Sequence, residues 1–394
     1  MKPPSNKFLF KFINNMNVAM ILEEGRLGGP QIYVTLVADA LEKQINTTLV
    51  LPSEISDPFR RKLQESPGLA YKTFKLTRIS NNLRSIMKYL FLFIPETYRI
   101  YGYFKKERFD IVYVAGGSWQ YKGVIAGRLA KAKVIWHLND TYTPFFIRCV
   151  FSLLSSFADA FTFASERTKK YYLPLIRKER IGFAIPQPVD TSYFSTNSIS
   201  NRKDEMPVYH NKVLIGTVAN INPLKGLDVF IKVISRLNNN IDNLTFVVVG
   251  NVFSSQKKYF NNLRKMINRL EIDNIKFIGY QNDIRTILKE FDLFICTSKA
   301  ESGPMTLWEA MSMEKAVVTT DVGDVSKYVR SGYSGEIVSI GDVDGMTKKI
   351  MELIMDEKKR KIYGSRAREI VIQNLDVSIC AEKHLTVFQH IVEM

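Results

Sequence analysis

Lys299-Ala-Glu-Ser-Gly-Pro-Met-Thr-Leu-Trp-Glu-Ala-Met311 is the stretch of this 394-residue chain that decides its fold. It follows residues 291–297 (FDLFICT), a short apolar run of strand length. A Ser-Gly-Pro turn at 302–304 comes next, and Met305 and Trp308 then begin an apolar pattern at helical spacing. The local order is therefore strand, turn, helix.

The start of this helix has the properties of an anion site. Pro304 suits the first helical position, and the free backbone N–H groups of Met305, Thr306 and Leu307 would then point out of the helix end. About half a positive charge gathers there from the helix dipole. A diphosphate would fit at this end without a metal ion.

Two carboxylates flank the turn. Glu309 lies about one turn inside the helix and would reach the two hydroxyls of a ribose, while Glu301 lies before the turn and would reach hydroxyls of a second sugar. The alternative is structural, with Glu301 capping the loop and Glu309 on a solvated helix face.

Length and composition indicate a soluble, globular protein of two or three domains. Hydrophobic residues make up 46% of the chain and charged residues 24%. Three scattered cysteines, without a CxxC pair, indicate neither a disulfide framework nor a zinc site. We expect a cytoplasmic protein, without a signal peptide and without a metal or other cofactor.

Two apolar stretches resemble membrane spans. Residues 89–95 are far too short, and residues 149–164 include Asp159 and several serines in less than the roughly 20 residues that a span requires. The second stretch is predicted to be buried core.

Positive charge is concentrated in the first half of the chain. Of the net charge of +16, residues 1–190 account for +13 (28 basic and 15 acidic residues). This field suits nucleic acid, lipid headgroups or a phosphorylated substrate. Residues 82–106 interleave basic with apolar and aromatic residues, which predicts either a surface-lying amphipathic segment or an ordinary helix with a basic solvent face.

Strands and helices alternate in both halves, which favours mostly parallel sheets. The predicted strands are residues 17–22, 47–51, 111–115, 134–138 and 160–164, then 212–218, 244–249, 275–278, 293–297, 316–319 and 335–338. A polar stretch at 191–211 predicts the linker. The result is two Rossmann-like halves, and ligands are expected at a cleft beyond the strand ends.

Other candidate residues follow predicted strands. Gly28, Gly29 and Pro30 come after the first strand, either as a close-approach anion loop or as a plain tight turn. His137 ends the strand 134–138 and would steady a sugar hydroxyl or developing charge. Lys225 follows the first strand of the second half, where it would neutralise a diphosphate leaving group.

Taken together, these motifs resemble family 4 glycosyltransferases of the GT-B fold, which are retaining and use nucleotide sugars. The resemblance is strongest over residues 216–338: the Pro-Leu-Lys-Gly loop ending at Gly226, the turn at 279–283, the two glutamates and the segment 316–323. It implies domains at 1–190 and 191–375, with a last helix, 376–394, packing back on the first domain. The first would bind the acceptor and the second the nucleotide sugar.

The resemblance also implies roles for individual residues. Glu301 would contact the donor hexose, Glu309 the ribose, and His137 the sugar near the reacting carbon, so that His137, Glu301 and Lys225 form the catalytic set. The implied donor site consists of Gly28, Gly29, Asn220, Lys225, Glu301, Ser302, Gly303, Pro304, Met305, Thr306, Leu307 and Glu309. Asn220 is a departure, because many relatives carry an arginine beside this loop.

The sequence therefore predicts a hexosyltransferase acting on a glycan acceptor, which the basic first half suggests is lipid-linked at the inner membrane face, for surface polysaccharide. An anionic membrane surface is a possible partner, and nucleic acid is not expected. Alternatives are a soluble glycan synthase of the same fold, a basic nucleic-acid-binding protein and a Rossmann oxidoreductase or epimerase. The last two lack their motifs, namely zinc, helix-turn-helix or RNP patterns and G-x-G-x-x-G.

Overall fold

The chain forms two compact units. The computed structural model describes residues 16–79, 83–141, 143–177, 179–198 and 212–394. Unit 1 is Met1–Pro188 together with Val377–Met394, and unit 2 is Val189–Asp376. Residues 1–15, on which the signal-peptide expectation depends, and residues 199–211 of the expected linker lie outside the described residues.

Unit 1 contains a seven-stranded parallel sheet in the order β3-β2-β1-β4-β5-β6-β7. Its strands are β1 (Asn17–Ile21), β2 (Asn46–Pro52), β3 (Ala70–Phe74), β4 (Ile111–Val114), β5 (Lys133–Leu138), β6 (Ala160–Phe163) and β7 (Ile181–Ala184). Its helices are α1 (Gly29–Leu41), α2 (Asp57–Gln64), α3 (Leu83–Glu107), α4 (Tyr121–Leu129), α5 (Phe145–Leu154), α6 (Glu166–Tyr172) and, from the end of the chain, α14 (Val377–Glu393).

Unit 2 contains a six-stranded parallel sheet in the order β10-β9-β8-β11-β12-β13. Its strands are β8 (Val213–Val218), β9 (Leu244–Val249), β10 (Ile275–Gly279), β11 (Leu293–Cys296), β12 (Ala316–Thr320) and β13 (Glu336–Val338). Its helices are α7 (Leu227–Asn238), α8 (Lys257–Arg269), α9 (Arg285–Glu290), α10 (Met305–Ser312), α11 (Val325–Tyr328), α12 (Val343–Ile354) and α13 (Glu357–Asn374).

Both sheets are covered by helices on two faces, which confirms the predicted α/β fold. In β1, Val18 and Met20 pack into one hydrophobic cluster while Ala19 and Ile21 pack into another. Apolar residues at every position are expected of a parallel strand buried on both sides. In each unit the strand order reverses beside the first strand, which is where such sheets bind ligands.

The two strands that the sequence pattern missed are the edges of the unit 1 sheet. Strand β3 (AYKTF) is exposed along most of its length, so it lacks the apolar run of an inner strand. Strand β7 (IGFA) has four residues and includes Gly182. Edge strands are commonly short or carry charged side chains, which discourages pairing with another chain.

A buried polar cluster ties α14 to the rest of unit 1. His384 donates from Nδ1 to the Cys380 carbonyl, at 2.7 Å, which leaves Nε2 to accept from the hydroxyl of Tyr33. Tyr33 and Tyr113 are joined by a 2.9 Å hydrogen bond. Burial lowers the pKa of His384 to about 4. The imidazole is therefore neutral at physiological pH.

Helix α5 corrects the expectation of a buried core over residues 149–164. Strand β6, at the end of this stretch, is fully buried. In the part of α5 that belongs to this stretch, however, only Phe151 is buried, while Cys149 is exposed and Leu153 is 53% exposed. The apolar content of this stretch therefore serves one core-facing side and one solvent-facing side. In the described residues, no helix combines the length and apolarity needed to cross a membrane.

Candidate functional site

The loops after β8, β9 and β11 meet at the carboxyl edge of the unit 2 sheet. The hydroxyl of Thr297, just after β11, donates to the carbonyl of Lys225 at 2.9 Å. The amide of Asn251, after β9, donates to Oδ1 of Asn220 at 3.3 Å. These bonds hold the predicted lysine loop against the loop that leads to α10.

Gly226 allows this close approach. Its φ of +65° lies in the left-handed region, which glycine adopts at little cost. A Cβ at Gly226 would lie only 2.0 Å from the carbonyl oxygen of Thr297. A side chain is therefore excluded both by backbone conformation and by contact with a backbone atom.

Gly226→Ala is expected to destabilise unit 2 by about 2–4 kcal/mol, because backbone strain and a steric clash add together. Gly341→Ala is the matched control, since Gly341 has a φ of +81° and a methyl group added there would meet no other atom within 4 Å. That control should cost only about 1 kcal/mol. Chemical denaturation measures both, and equal losses would contradict the role assigned to the Thr297 contact.

Lys225 and Glu301 form an ion pair, with the lysine amine donating to Oε1 of the carboxylate. The hydroxyl of Ser298 donates to the same oxygen at 2.9 Å. Burial lowers the pKa of Lys225, but attraction to Glu301 outweighs it and leaves the pKa raised. Lys225 is therefore protonated at neutral pH, and its side chain remains 26% exposed.

The helix that follows Glu301 begins one residue later than expected. Pro304 is the residue before α10 rather than its first residue, and no side chain caps this end. The amide of Leu307 donates to the Pro304 carbonyl at 2.9 Å, so the prediction that it is free is wrong. The amides of Met305 and Thr306 have no acceptor among the described residues. Two donors therefore remain at the positive end of α10.

Glu309 lies one turn into α10 and is only 7% exposed. Near the same turn, Gly323 has a φ of +53°, and a Cβ there would lie 2.5 Å from the carbonyl of Ser302. The loop after β12 therefore packs closely on the turn that carries Ser302 and Gly303. The ribose contact of Glu309 stays a prediction.

Asn220 joins loops and supplies no charge. Besides accepting from Asn251, it accepts a hydrogen bond from the side-chain amide of Asn222 through its backbone carbonyl, at 3.3 Å. Lys225 is therefore the cation that this loop offers to the edge where Glu301 lies.

In unit 1, Gly28 and Gly29 lie at the start of α1, where Gly28 precedes the helix and Gly29 is its first residue. Both are partly exposed. The φ of Gly28 is −160°, which any residue adopts. The turn thus presents a helix N-terminus, and its glycines are not required by backbone conformation.

His137, predicted to contact the sugar, is buried in the core of unit 1. It has no exposed surface and stacks on Tyr33 with ring centroids 4.5 Å apart. Its Nδ1 lies 3.1 Å from the hydroxyl of Thr162. Burial lowers the pKa of His137 well below its usual value. In the described structure His137 is therefore a core residue beside α1 whose Nε2 has no hydrogen-bond partner, and its catalytic role stays a prediction.

The sequence reasoning missed a cluster at the carboxyl ends of β4 and β5. Gly116 and Gly117 have φ angles of +107° and +104°. A Cβ at Gly117 would lie 3.0 Å from Oδ2 of Asp140, 3.2 Å from Nε1 of Trp119 and 3.4 Å from Oδ1 of Asn139. Trp119 is 37% exposed. The signal was present as a Gly-Gly-Ser-Trp run directly after a predicted strand.

Residues 198–370 match the family model "Glycosyl transferases group 1". This stretch lies within unit 2 and makes up less than half of the chain. The chain as a whole has the GT-B fold. The crystal structure of Anabaena Alr3699/HepE in complex with UDP and glucose superposes with a TM-score of 0.82, covering 95% of this chain and 100% of that chain at 19% identity.

Two curated relatives match different shares of the chain. N-acetyl-alpha-D-glucosaminyl L-malate synthase of Bacillus anthracis is 21% identical over 205 residues, 52% of each protein, so the chain spans about half the length of this relative. A Campylobacter jejuni relative is 21% identical over 356 residues, which are 86% of this chain and 90% of that protein. It is the N,N'-diacetylbacillosaminyl-diphospho-undecaprenol alpha-1,3-N-acetylgalactosaminyltransferase.

Proposed function

We propose that this protein is a retaining glycosyltransferase of the family 4 type that needs no metal ion. It would move a hexose from a nucleoside diphosphate sugar to a lipid-linked glycan at the inner face of the membrane, in surface polysaccharide synthesis. The observation that carries the proposal is the pairing, at one sheet edge, of protonated Lys225 with Glu301, at the turn that leads into α10.

The donor half of the proposal is supported by charge and by open donors. Lys225 is a partly exposed cation, and the amides of Met305 and Thr306 lie at the positive end of α10. A diphosphate carries the negative charge and acceptor oxygens that such a site binds. Glu301 would accept hydroxyl hydrogens of the hexose, and Glu309 those of the ribose.

In the proposed transfer, the bond between the sugar carbon and the diphosphate oxygen breaks while the acceptor oxygen bonds to that carbon on the same face. The acceptor proton passes to the departing phosphate oxygen, so no protein base is needed. Negative charge grows on the diphosphate in the transition state. Lys225 and the two amides would stabilise that charge, because a fixed cation and open backbone donors favour negative charge beside them.

The acceptor half is supported by composition and by the relatives. The first 190 residues account for +13 of the net charge, and a lipid-diphosphate acceptor is anionic. The Campylobacter jejuni relative is named for a diphospho-undecaprenol acceptor. A soluble glycan synthase would instead prefer a free oligosaccharide, and an acceptor competition assay separates the two.

Thermal denaturation with a panel of UDP, GDP, ADP and TDP sugars tests donor binding. At about 100 times its dissociation constant, one ligand should stabilise the native protein by about 2.7 kcal/mol, which raises Tm by several degrees. We expect the same shift with EDTA as with Mg²⁺. A panel without any stabilising member would overturn the proposed function, and a shift abolished by EDTA would overturn metal independence.

A further inference from the structure

Helix α3 has two apolar faces, and only one of them packs on the sheet. Ile100 and Phe104 belong to the hydrophobic cluster beneath the helix. A second row recurs every three or four residues and is exposed to solvent. This α3 stripe consists of Leu83 (74% exposed), Met87 (59%), Leu90 (61%), Phe91 (84%), Ile94 (77%) and Tyr98 (68%). Soluble monomers rarely leave so continuous an apolar row uncovered.

A buried ion pair shows where α3 lies relative to the edge of the unit 1 sheet. Glu96 of α3 lies 2.8 Å from the amine of Lys122, in the first turn of α4, and both side chains are at least 97% buried. The amide of Thr77, shortly after β3, also donates to Glu96, at 2.9 Å. Glu96 is therefore level with the carboxyl edge of the unit 1 sheet. The ring of Tyr89 also packs on the Lys122 amine, 4.1 Å from it, so this part of α3 lies along the start of α4 while the stripe is exposed to solvent.

The exposed surface beside the stripe is basic. At about 100° per residue, Arg84, Lys88, Arg99 and Lys106 lie on the neighbouring face of α3, and all four are exposed. Between Leu83 and Lys106 the only acidic residue is Glu96, which is buried against Lys122. The one exposed carboxylate of α3 is Glu107, its last residue. An exposed apolar row bordered by cations is the pattern of a helix that lies in the surface of an anionic bilayer.

A second helix adds to the same side of the sheet. Phe151 of α5 packs into the hydrophobic cluster that contains Ile100 of α3, so both helices cover one sheet face. The start of α5 exposes Phe145 and Phe146, and Arg148 beside them is also exposed.

We propose that the α3 stripe docks unit 1 on an anionic lipid surface. The apolar side chains would enter the boundary between headgroups and acyl chains, while Arg84, Lys88 and Arg99 would contact lipid phosphates. Docking there brings the carboxyl edge of the sheet toward the bilayer. The benefit for an acceptor carried in that bilayer rests on the proposed function, whereas lipid binding itself does not.

Flotation of the full chain with vesicles tests the proposal. The wild type should float with phosphatidylglycerol/phosphatidylcholine vesicles, weakly with phosphatidylcholine alone, and less at high salt. The double variant Phe91→Gln/Ile94→Gln should lower partitioning about tenfold or more, as should Arg84→Glu/Lys88→Glu. These side chains are exposed, so the fold should be retained, which circular dichroism checks.

Matched controls alter equally exposed residues elsewhere. Leu129→Gln/Met355→Gln removes exposed apolar side chains, and Lys257→Glu/Lys258→Glu reverses an exposed basic pair on α8. Both should bind vesicles like the wild type. Sedimentation over a concentration range tests the rival occupant, a second copy of this chain.

Three results would overturn the docking surface: a wild type that does not float, stripe variants that float unchanged, or self-association that the stripe variants abolish. None of these three results would count against the donor site if nucleotide sugars still raised Tm. The converse result is a protein that floats normally while no nucleotide sugar of the panel stabilises it. That result would overturn the proposed function but not the docking surface.

Discussion

Replacing Lys225 by glutamine is expected to lower kcat/KM for nucleotide-sugar turnover by about 10²–10³-fold. The reason is that this lysine supplies the cation of the strand-edge site, and its pKa is raised by Glu301. Because the diphosphate gains charge in the transition state, kcat should fall more than KM rises. Steady-state kinetics with the donor that the panel identifies measures both constants.

The matched control is Lys232→Gln, on the exposed surface of α7, which should leave turnover unchanged. Lys225→Arg keeps the charge but alters its geometry, so it should retain more activity than Lys225→Gln. Because Lys225→Gln also leaves Glu301 without its cation, the Tm of the variant must be recorded. If the folded Lys225→Gln protein turned over donor within twofold of the wild type, Lys225 would have no role in stabilising the leaving group.

Glu309→Ala is expected to raise KM for the donor by about 10–100-fold, which is the loss of hydrogen bonds from ribose hydroxyls to a carboxylate. Alanine is a good helix former, and because Glu309 is largely buried, circular dichroism and the Tm of the variant must show that it is folded. Glu369→Ala, at an exposed position of α13, is the control and should leave KM unchanged.

A 2′-deoxyribose donor makes this prediction specific to the ribose. The wild type should discriminate against that donor, and Glu309→Ala should discriminate much less. The reason is that removing the carboxylate and removing the 2′-hydroxyl abolish the same contact. If the effects of the two changes on kcat/KM were instead additive, Glu309 would not contact the ribose and would act elsewhere, for example by holding α10 in place.

Most of the fold can be predicted from the sequence because inner strands and amphipathic helices have strong hydrophobic patterns. Strands such as β9 (LTFVVV) are apolar along their whole length, since both faces are covered. The exposed edge strand β3 carries no such pattern and was missed. Patterning therefore predicts the inner strands of both sheets and the edge strands of the unit 2 sheet, but not the edge strands of the unit 1 sheet.

The donor site was predicted as a set of residues but not as a geometry. Lys225 and Glu301 were assigned to different parts of the ligand, yet they form an ion pair across 76 positions of sequence. A pairing at that separation depends on the adjacency of β8 and β11, which no local pattern reports. The amide of Leu307 was likewise assigned to a ligand, although it closes the first turn of α10.

Residue type alone does not show whether a side chain near the end of a strand points into the core, as His137 does. A histidine near the end of a strand points to one face of the sheet, and in β5 that face is covered by α1 and α14. Asn139 and Trp119, close to Gly117, are further candidates at this edge. Their proximity joins two loops, so it appears only in the folded unit.

Hydrogen-exchange mass spectrometry with and without the preferred nucleoside diphosphate, in EDTA, tests the donor site most directly. The amides of Met305 and Thr306 have no acceptor in the described structure, so they should exchange fast in the free protein. Bound diphosphate should slow their exchange and that of the loop around Lys225. Slowed exchange confined to other segments, with these amides unchanged, would contradict a donor site at the carboxyl edge of unit 2.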